Sequence, residues 1–264
     1  MNQARVVAVV NQKGGVGKTT TTVNLATALA ASGRRVMIVD IDPQGNSSTS
    51  LGIDYSQRTR GTYSLLLPQG PSPRSHTTLV PNLTILSSDS ELAGAEIELV
   101  GEPRREYRLA DGLAQWGFLK DRDIILLDCP PSLGLLTLNS LVACHEVLVP
   151  LQCEFFALEG VSQLMRTIDR VRTSLNTALA LNGIVLTMFD RRNNLSELVA
   201  ADARSFFKNL VYDTVIPRNV RVSEAPSHGK PVLLYDYRSP GAQAYVKLAR
   251  ELLARSRPGI RATA

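Results

Sequence analysis

Lys13-Gly14-Gly15-Val16-Gly17-Lys18-Thr19 is the stretch on which the reading of this chain turns. Before it, residues 6–10 form a short β-branched run without polar alternation, as expected of a strand buried on both faces. After it, residues 19–32 carry a helical pattern that Gly33 stops at a C-cap position. In a strand–loop–helix setting the glycines let successive backbone N–H groups converge on phosphate oxygens. The helix N-terminus adds its partial positive charge. Lys18 would then reach the β- and γ-phosphates of a nucleotide, and the Thr19 hydroxyl would ligate Mg²⁺. The common phosphate-loop pattern has glycine where this chain has Gln12, and a second lysine, Lys13, opens the loop. A lysine at that place cannot easily fold back onto the same phosphates. It could instead reach nucleotide held by a neighbouring subunit, as an arginine finger acts in trans.

Outward from the loop, apolar runs at residues 36–40, 83–86, 124–128, 147–151, 183–187 and 212–216 read as further strands. Helical periodicity occupies residues 157–175, 195–209 and 239–256. Strands alternating with helices predict a mostly parallel, twisted α/β sheet with helices on both faces, the architecture of a single P-loop NTPase domain over residues 1–264. The stretch 56–81, rich in Gly, Pro, Ser and Thr, is expected to be a surface excursion, and the tail from about residue 256 to be flexible.

Bulk properties narrow the class. Apolar residues make up 44% and charged residues 20% of the chain, ordinary values for a globular protein. No apolar run approaches the roughly 20 residues that span a bilayer, and no signal-like segment opens the sequence, so a cytoplasmic protein without stable membrane insertion is expected. Cys129, Cys144 and Cys153 show no ligand-like spacing and read as small buried thiols, with Cys144 in an apolar helix. Net charge is +5, yet residues 201–264 hold 11 Lys/Arg against 5 Asp/Glu, so the excess lies wholly in the last quarter. That asymmetry suggests a face for a polyanion.

Carboxylates follow two of the expected strands. Asp40-Ile41-Asp42-Pro43-Gln44-Gly45-Asn46 leaves the second strand, and Asp128-Cys129-Pro130-Pro131-Ser132 ends an aliphatic one. Ligands of open α/β sheets bind at that carboxyl edge. A carboxylate there would hold magnesium, usually through water.

The Lys13-to-Thr19 loop resembles the deviant Walker A box of the ParA/MinD ATPases, whose signature residue is the first lysine. The resemblance extends to Gln152-Cys153-Glu154-Phe155-Phe156-Ala157-Leu158-Glu159-Gly160 and Thr187-Met188-Phe189-Asp190-Arg191-Arg192-Asn193-Asn194-Leu195. It also includes Ile216-Pro217-Arg218-Asn219-Val220-Arg221-Val222-Ser223-Glu224-Ala225-Pro226-Ser227, which is similar to the chromosomal ParA/Soj proteins. It implies an ATP- and Mg²⁺-dependent hydrolase of weak intrinsic activity that forms a nucleotide-sandwich homodimer, with Lys13 touching the other subunit's ATP. Residues 13–20, including Thr20, would bind ATP, and Pro217 and Asn219 would lie beside the adenine. Thr19, Asp42 and Asp128 would form the metal shell. Asp42 would also orient the attacking water, and Asp40 would support the switch and metal shell. The resemblance further implies nonspecific binding of double-stranded DNA through Arg218 and an arginine of the Arg191-Arg192 pair. Arg221 and Lys230 are further candidates, and phosphate contacts of this kind are sequence-independent and salt-sensitive. Little aromatic interleaving argues against base stacking.

The strand begins near residue 5, so no helix-turn-helix extension precedes it, unlike the longer plasmid ParA proteins. A ParB-like partner that stimulates hydrolysis, and chromosome or plasmid segregation on the nucleoid, are the expectations. Three alternatives stand beside them. A MinD-like membrane-placed ATPase would need a C-terminal amphipathic helix, which Pro258 and Gly259 interrupt. A reductase of the nitrogenase iron-protein kind would need cysteines poised to share a cluster. A relative positioning a protein cargo would keep the biochemistry and change the load.

Overall fold

The structure is a computed structural model and describes residues 3–67, 71–89, 91–154 and 157–255. Its first half runs β1 (Arg5–Val9), α1 (Lys18–Ala31), β2 (Val36–Asp40), α2 (Asn46–Ser50), α3 (Thr62–Leu66), β3 (His76–Thr77), β4 (Leu83–Leu86), α4 (Leu92–Glu98), α5 (Arg108–Gln115) and β5 (Ile124–Asp128). The second half runs α6 (Leu135–Ala143), β6 (Glu146–Gln152), α7 (Ala157–Ser174), β7 (Ala180–Phe189), α8 (Asn194–Phe207), β8 (Val211–Pro217), α9 (Val220–Glu224), α10 (Val232–Tyr235) and α11 (Pro240–Ala254).

The strands form one sheet in the order β3-β4-β2-β5-β1-β6-β7-β8. Every pairing is parallel except β3 on β4. Side chains alternate across a strand, and the core divides accordingly. Val6 and Ala8 of β1, Met37 and Val39 of β2, and Ile125 and Leu127 of β5 enter one apolar cluster, together with residues of α4 to α8. Val7, Val9, Val36, Ile38, Ile124 and Leu126 enter the other, against α1, α10 and α11. A strand buried on both faces must be apolar throughout, which is why the runs lack polar alternation. The chain moves from β1 toward β2 and β4, then crosses back to β6, β7 and β8. The direction of winding therefore reverses at β1, the position where ligands settle at the carboxyl edge of such sheets.

Two expectations change. The stretch 56–81 is not merely a surface excursion, because α3 buries Leu65 and Leu66 in the core and the Thr62 hydroxyl donates to the Asp40 carbonyl at 2.7 Å. Its small residues permit close approach: a Cβ on Gly61 would sit 2.0 Å from the Ser87 carbonyl oxygen. Cys144 lies just past the end of α6 rather than within it.

The later strands are longer than their apolar runs because buried polar side chains at the amino edge satisfy one another. Arg5 forms a two-point ion pair with Glu146 (3.0 and 2.6 Å), Asn182 donates to the same carboxylate, and Tyr212 donates to Asn182. Arg255 stacks over the Tyr212 ring at 3.7 Å and anchors the end of α11. In α11, Tyr245, Leu248, Ala249 and Leu252 are buried, so its apolar face is used in packing. Residues 155–156 of one resemblance segment, and the 256–264 tail with its Pro258 and Gly259, lie outside the described residues. No described helix is long and apolar enough to cross a membrane.

Candidate functional site

The loop after β1 closes with Gly17, at φ 87°, at the N-cap of α1. Gly15 also takes a left-handed φ of 75°, a conformation that a side chain would strain. A Cβ added at Gly14 or Gly15 would meet nothing within 4 Å, so the space over the loop backbone is open. Neighbouring strands brace the loop from below. Thr187 of β7 donates to the Val16 carbonyl at 2.9 Å, and Asn11 donates to Pro150 of β6 at 2.7 Å while accepting the Lys13 N–H at 3.0 Å.

The two lysines part company. Lys18 is 7% exposed and its ammonium donates to the Lys13 carbonyl at 3.0 Å. Burial lowers its pKa, opposed by the charge of Asp128. Lys13 turns outward and pairs with Glu154 at 2.5 Å, both side chains remaining nearly half exposed.

Asp40 and Asp128 end β2 and β5 in register with one another, and both are completely buried. Hydroxyls surround them. Asp128 accepts from Thr22 (3.1 Å) and Ser47 (2.7 Å) and is also hydrogen-bonded by Thr19. One oxygen of Asp40 accepts both the N–H and the hydroxyl of Ser48 (2.9 and 2.7 Å), while its Oδ1 is buried without a partner. Asp42, 7% exposed, lies two residues beyond, and its carboxylate accepts the Gln44 N–H at 3.0 Å. Thus α2, through Ser47 and Ser48, clamps both strand-end carboxylates at once.

Burial, and then repulsion from Asp128, raises the pKa of Asp40 well above the carboxylate range. Burial likewise raises that of Asp128, against the hydrogen bonds of Ser47, Thr19 and Thr22. An acid whose folded pKa lies above its unfolded value binds more protons folded than unfolded. Its favourable contribution is complete below the unfolded pKa near 4 and is lost as pH rises through the folded value near 8. Nucleotide-free protein is therefore expected to melt at falling temperature between pH 5 and pH 8.5. Asp40→Asn should flatten part of that slope and exceed the parent in thermal melts at pH 8.5. A pH-independent difference between the two would contradict the assignment.

The residues fit a magnesium nucleotide. A buried, unpartnered Asp40 oxygen, an open glycine cradle, a buried ammonium and a hydroxyl-lined Asp128 are groups that a phosphate–metal unit would satisfy. No cluster of three or more His, Cys, Asp or Glu side chains able to hold a metal occurs among the described residues. That suits Mg²⁺, which keeps waters and binds through one or two carboxylates plus phosphates. The three cysteines are buried and unpaired, with burial pushing the Cys129 thiol up to about 12 and Cys153 to about 11.

Beside the loop, a cleft of about 140 Å³ is lined by Gly17, Thr20, Met188, Pro217, Asn219 and Tyr245, which sets Pro217 and Asn219, the two residues expected beside the adenine, next to the end of the phosphate loop. A larger groove of about 900 Å³ adjoins it through Pro217 and Arg218. Arg191, Arg192 and Arg218 line this groove, joined by Lys247 of α11, which the sequence reading did not select. Arg192 pairs with Asp190 at 2.9 Å. Arg221, paired with Glu224 at 3.0 Å, and the exposed Lys230 are not among its lining residues. Ser47, Ser48, Thr22 and Glu154 were also unselected. Their one sequence signal is position: Ser47, Ser48 and Thr22 closely follow quoted motifs, and Glu154 lies within one.

Residues 4–181 match the family model described as AAA domain. The chain is 57% identical over 257 residues to the chromosome partitioning protein ParA of Caulobacter vibrioides, covering 97% of this chain and 96% of that one. It is 50% identical over 251 residues to the sporulation initiation inhibitor protein Soj of Bacillus subtilis, covering 95% and 98%. Among solved structures, cobyrinic acid a,c-diamide synthase from Mycobacterium smegmatis with bound ADP and magnesium superposes with a TM-score of 0.82 at 41% identity, over 95% of this chain and 94% of that one.

Proposed function

Because the chain belongs to the ParA/Soj family of chromosome-partitioning ATPases, we propose that it is an ATP-dependent dimerising switch that binds DNA without sequence preference and releases it after hydrolysis. The observation that carries this reading is the division of labour between the lysines: Lys18 buried over its own loop, Lys13 turned outward beside it.

In this reading the backbone N–H groups from Gly14 to Thr20 and the Lys18 ammonium bind the triphosphate, and Pro217 and Asn219 flank the base. Thr19, Asp42 and Asp128 are the residues that would hold Mg²⁺. The ion supplies charge neutralisation at the phosphate oxygens when bound. Asp42 orients the attacking water, its carboxylate fixed by the Gln44 N–H. Ser47 and Ser48 keep Asp128 and Asp40 in place, so that little reorganisation is left for the reaction. Lys13 leaves Glu154 to meet the nucleotide of a second copy, closing a homodimer with two nucleotides between the subunits. Turnover is slow until a ParB-like protein accelerates it, because the task is timing rather than flux.

Dimerisation sets two arginine-lined grooves side by side and converts the second DNA contact into an intramolecular one, which raises avidity without new contacts. Arg191, Arg192 and Arg218 form the phosphate-binding surface, with Arg221 and Lys230 further along the same C-terminal region. Residence on the nucleoid in the cytoplasm follows, with a chromosome or plasmid as cargo.

The test is binding to a random-sequence duplex with ATP, ADP or no nucleotide across a salt series. Binding should require ATP and fade steeply with salt. Arg218→Glu should abolish it, and Arg218→Gln should lower the salt slope by about one per subunit engaged. Binding that ignores nucleotide would overturn the reading and turn attention to liposomes or a protein cargo.

A further inference from the structure

Arg58 is 8% exposed, yet no carboxylate lies within ion-pair distance of it among the described residues. Burying a guanidinium is costly unless its donors are fully engaged. Those donors are spent on a single short stretch of chain. Nε and Nη2 donate to the Ile53 carbonyl (3.1 and 2.9 Å), Nη2 to the Thr49 hydroxyl (2.7 Å) and Nη1 to the Gly45 carbonyl (3.3 Å).

This stretch, residues 45–53, is the one that fixes the candidate site. The Gly45 N–H donates to the Asp42 carbonyl at 2.9 Å, closing the turn that carries the Asp42 carboxylate. The same segment supplies Ser47 to Asp128 and Ser48 to Asp40. Contact at Gly45 is so close that a Cβ there would lie 2.4 Å from Arg58 Nη1. A five-residue helix has little stability of its own and needs tertiary partners. The planar fork of Arg58 spans from the residue before α2 to the loop after it, a geometry that a lysine point charge reproduces only in part.

We propose that Arg58 is a positioning residue for nucleotide hydrolysis, a guanidinium clamp that holds α2 and the Asp42 turn in the arrangement the reaction requires. The proposal rests on the hydrolytic reading above. It acts through Asp42, Ser47 and Ser48, not by touching nucleotide, so substrate affinity is expected to survive its loss.

Arg58→Met and Arg58→Lys decide it in the full chain. For Arg58→Met, kcat for ATP should fall by about tenfold or more, with KM within about threefold of the parent, and Arg58→Lys should recover part of kcat. Hydrogen exchange at the Gly45 and Thr49 amides should quicken at least tenfold in Arg58→Met while the β1 and β5 amides stay protected. A parental kcat, a loss confined to KM, or unchanged exchange at Gly45 and Thr49 would each overturn the proposal. If the unsubstituted protein hydrolyses no ATP, the hydrolytic reading fails. The exchange comparison still decides whether Arg58 holds the segment.

Discussion

Asp42→Ala is expected to lower kcat for ATP hydrolysis by about 10²–10⁴-fold while ATP binding stays within a few-fold of the parent, trapping the protein as a DNA-bound dimer. The argument starts from how the carboxylate is held. It sits at the carboxyl edge of the sheet, 7% exposed, with one oxygen oriented by the Gln44 N–H at 3.0 Å. The two completely buried carboxylates beside it, Asp40 and Asp128, are both engaged by serines or threonines, whereas Asp42 is free of a hydroxyl clamp. Removing it leaves Lys18, the loop amides, Thr19 and Asp128 intact, so the groups proposed to bind phosphate remain and the metal keeps two of its three proposed partners. The cost to folding is about one modest hydrogen bond, roughly 0.5–1.5 kcal/mol. Steady-state turnover, nucleotide affinity by equilibrium titration, and DNA retention after ATP addition measure the three parts separately. Normal hydrolysis by Asp42→Ala would remove Asp42 from the mechanism altogether.

The elements that chemistry forces were the legible ones. A phosphate loop must have glycines at left-handed or crowded positions, so Gly15 and Gly17 announced themselves, and strands buried on both faces must be apolar throughout, so β2, β4 and β5 were read to the residue. Asp40, Asp42 and Asp128 stood out because carboxylates seldom end aliphatic strands without a reason. What stayed hidden depends on contacts distant in sequence. Ser47, Ser48 and Thr22 are ordinary residue types until the fold sets them against the carboxylates. Glu154 is 141 residues from Lys13. Arg58 lay in a stretch whose composition suggested a loop, and only three acceptors converging on its guanidinium reveal otherwise. The amino ends of β6 and β7 were missed because Glu146 and Asn182 interrupt the apolar pattern, although each is satisfied by a buried partner.

Lys13→Gln is expected to leave the monomer folded and able to bind ATP, yet to abolish ATP-dependent dimerisation and with it DNA binding. The folding part follows from exposure: the Lys13–Glu154 pair has side chains 44% and 45% exposed, and surface pairs of this kind contribute about 0–1 kcal/mol. The binding part follows from direction, since Lys13 points away from its own loop and Lys18 alone is buried over it. In the proposed dimer each Lys13 makes one charge-assisted contact with the other subunit's nucleotide, worth roughly 1.5–3 kcal/mol. Two such contacts are lost together, so dimer affinity should drop by about 10²–10⁴-fold. Lys18→Ala is the contrast, because it removes ATP binding itself and loses the dimer only as a consequence. Glu154→Gln separates the resting contact from the active one: it frees Lys13 without removing it, so ATP-dependent dimerisation should persist. Sedimentation and nucleotide titration on the three variants place each lysine on its own step. A Lys13→Gln protein that dimerises at the parental ATP concentration would show that the outward lysine does not act across the subunit boundary.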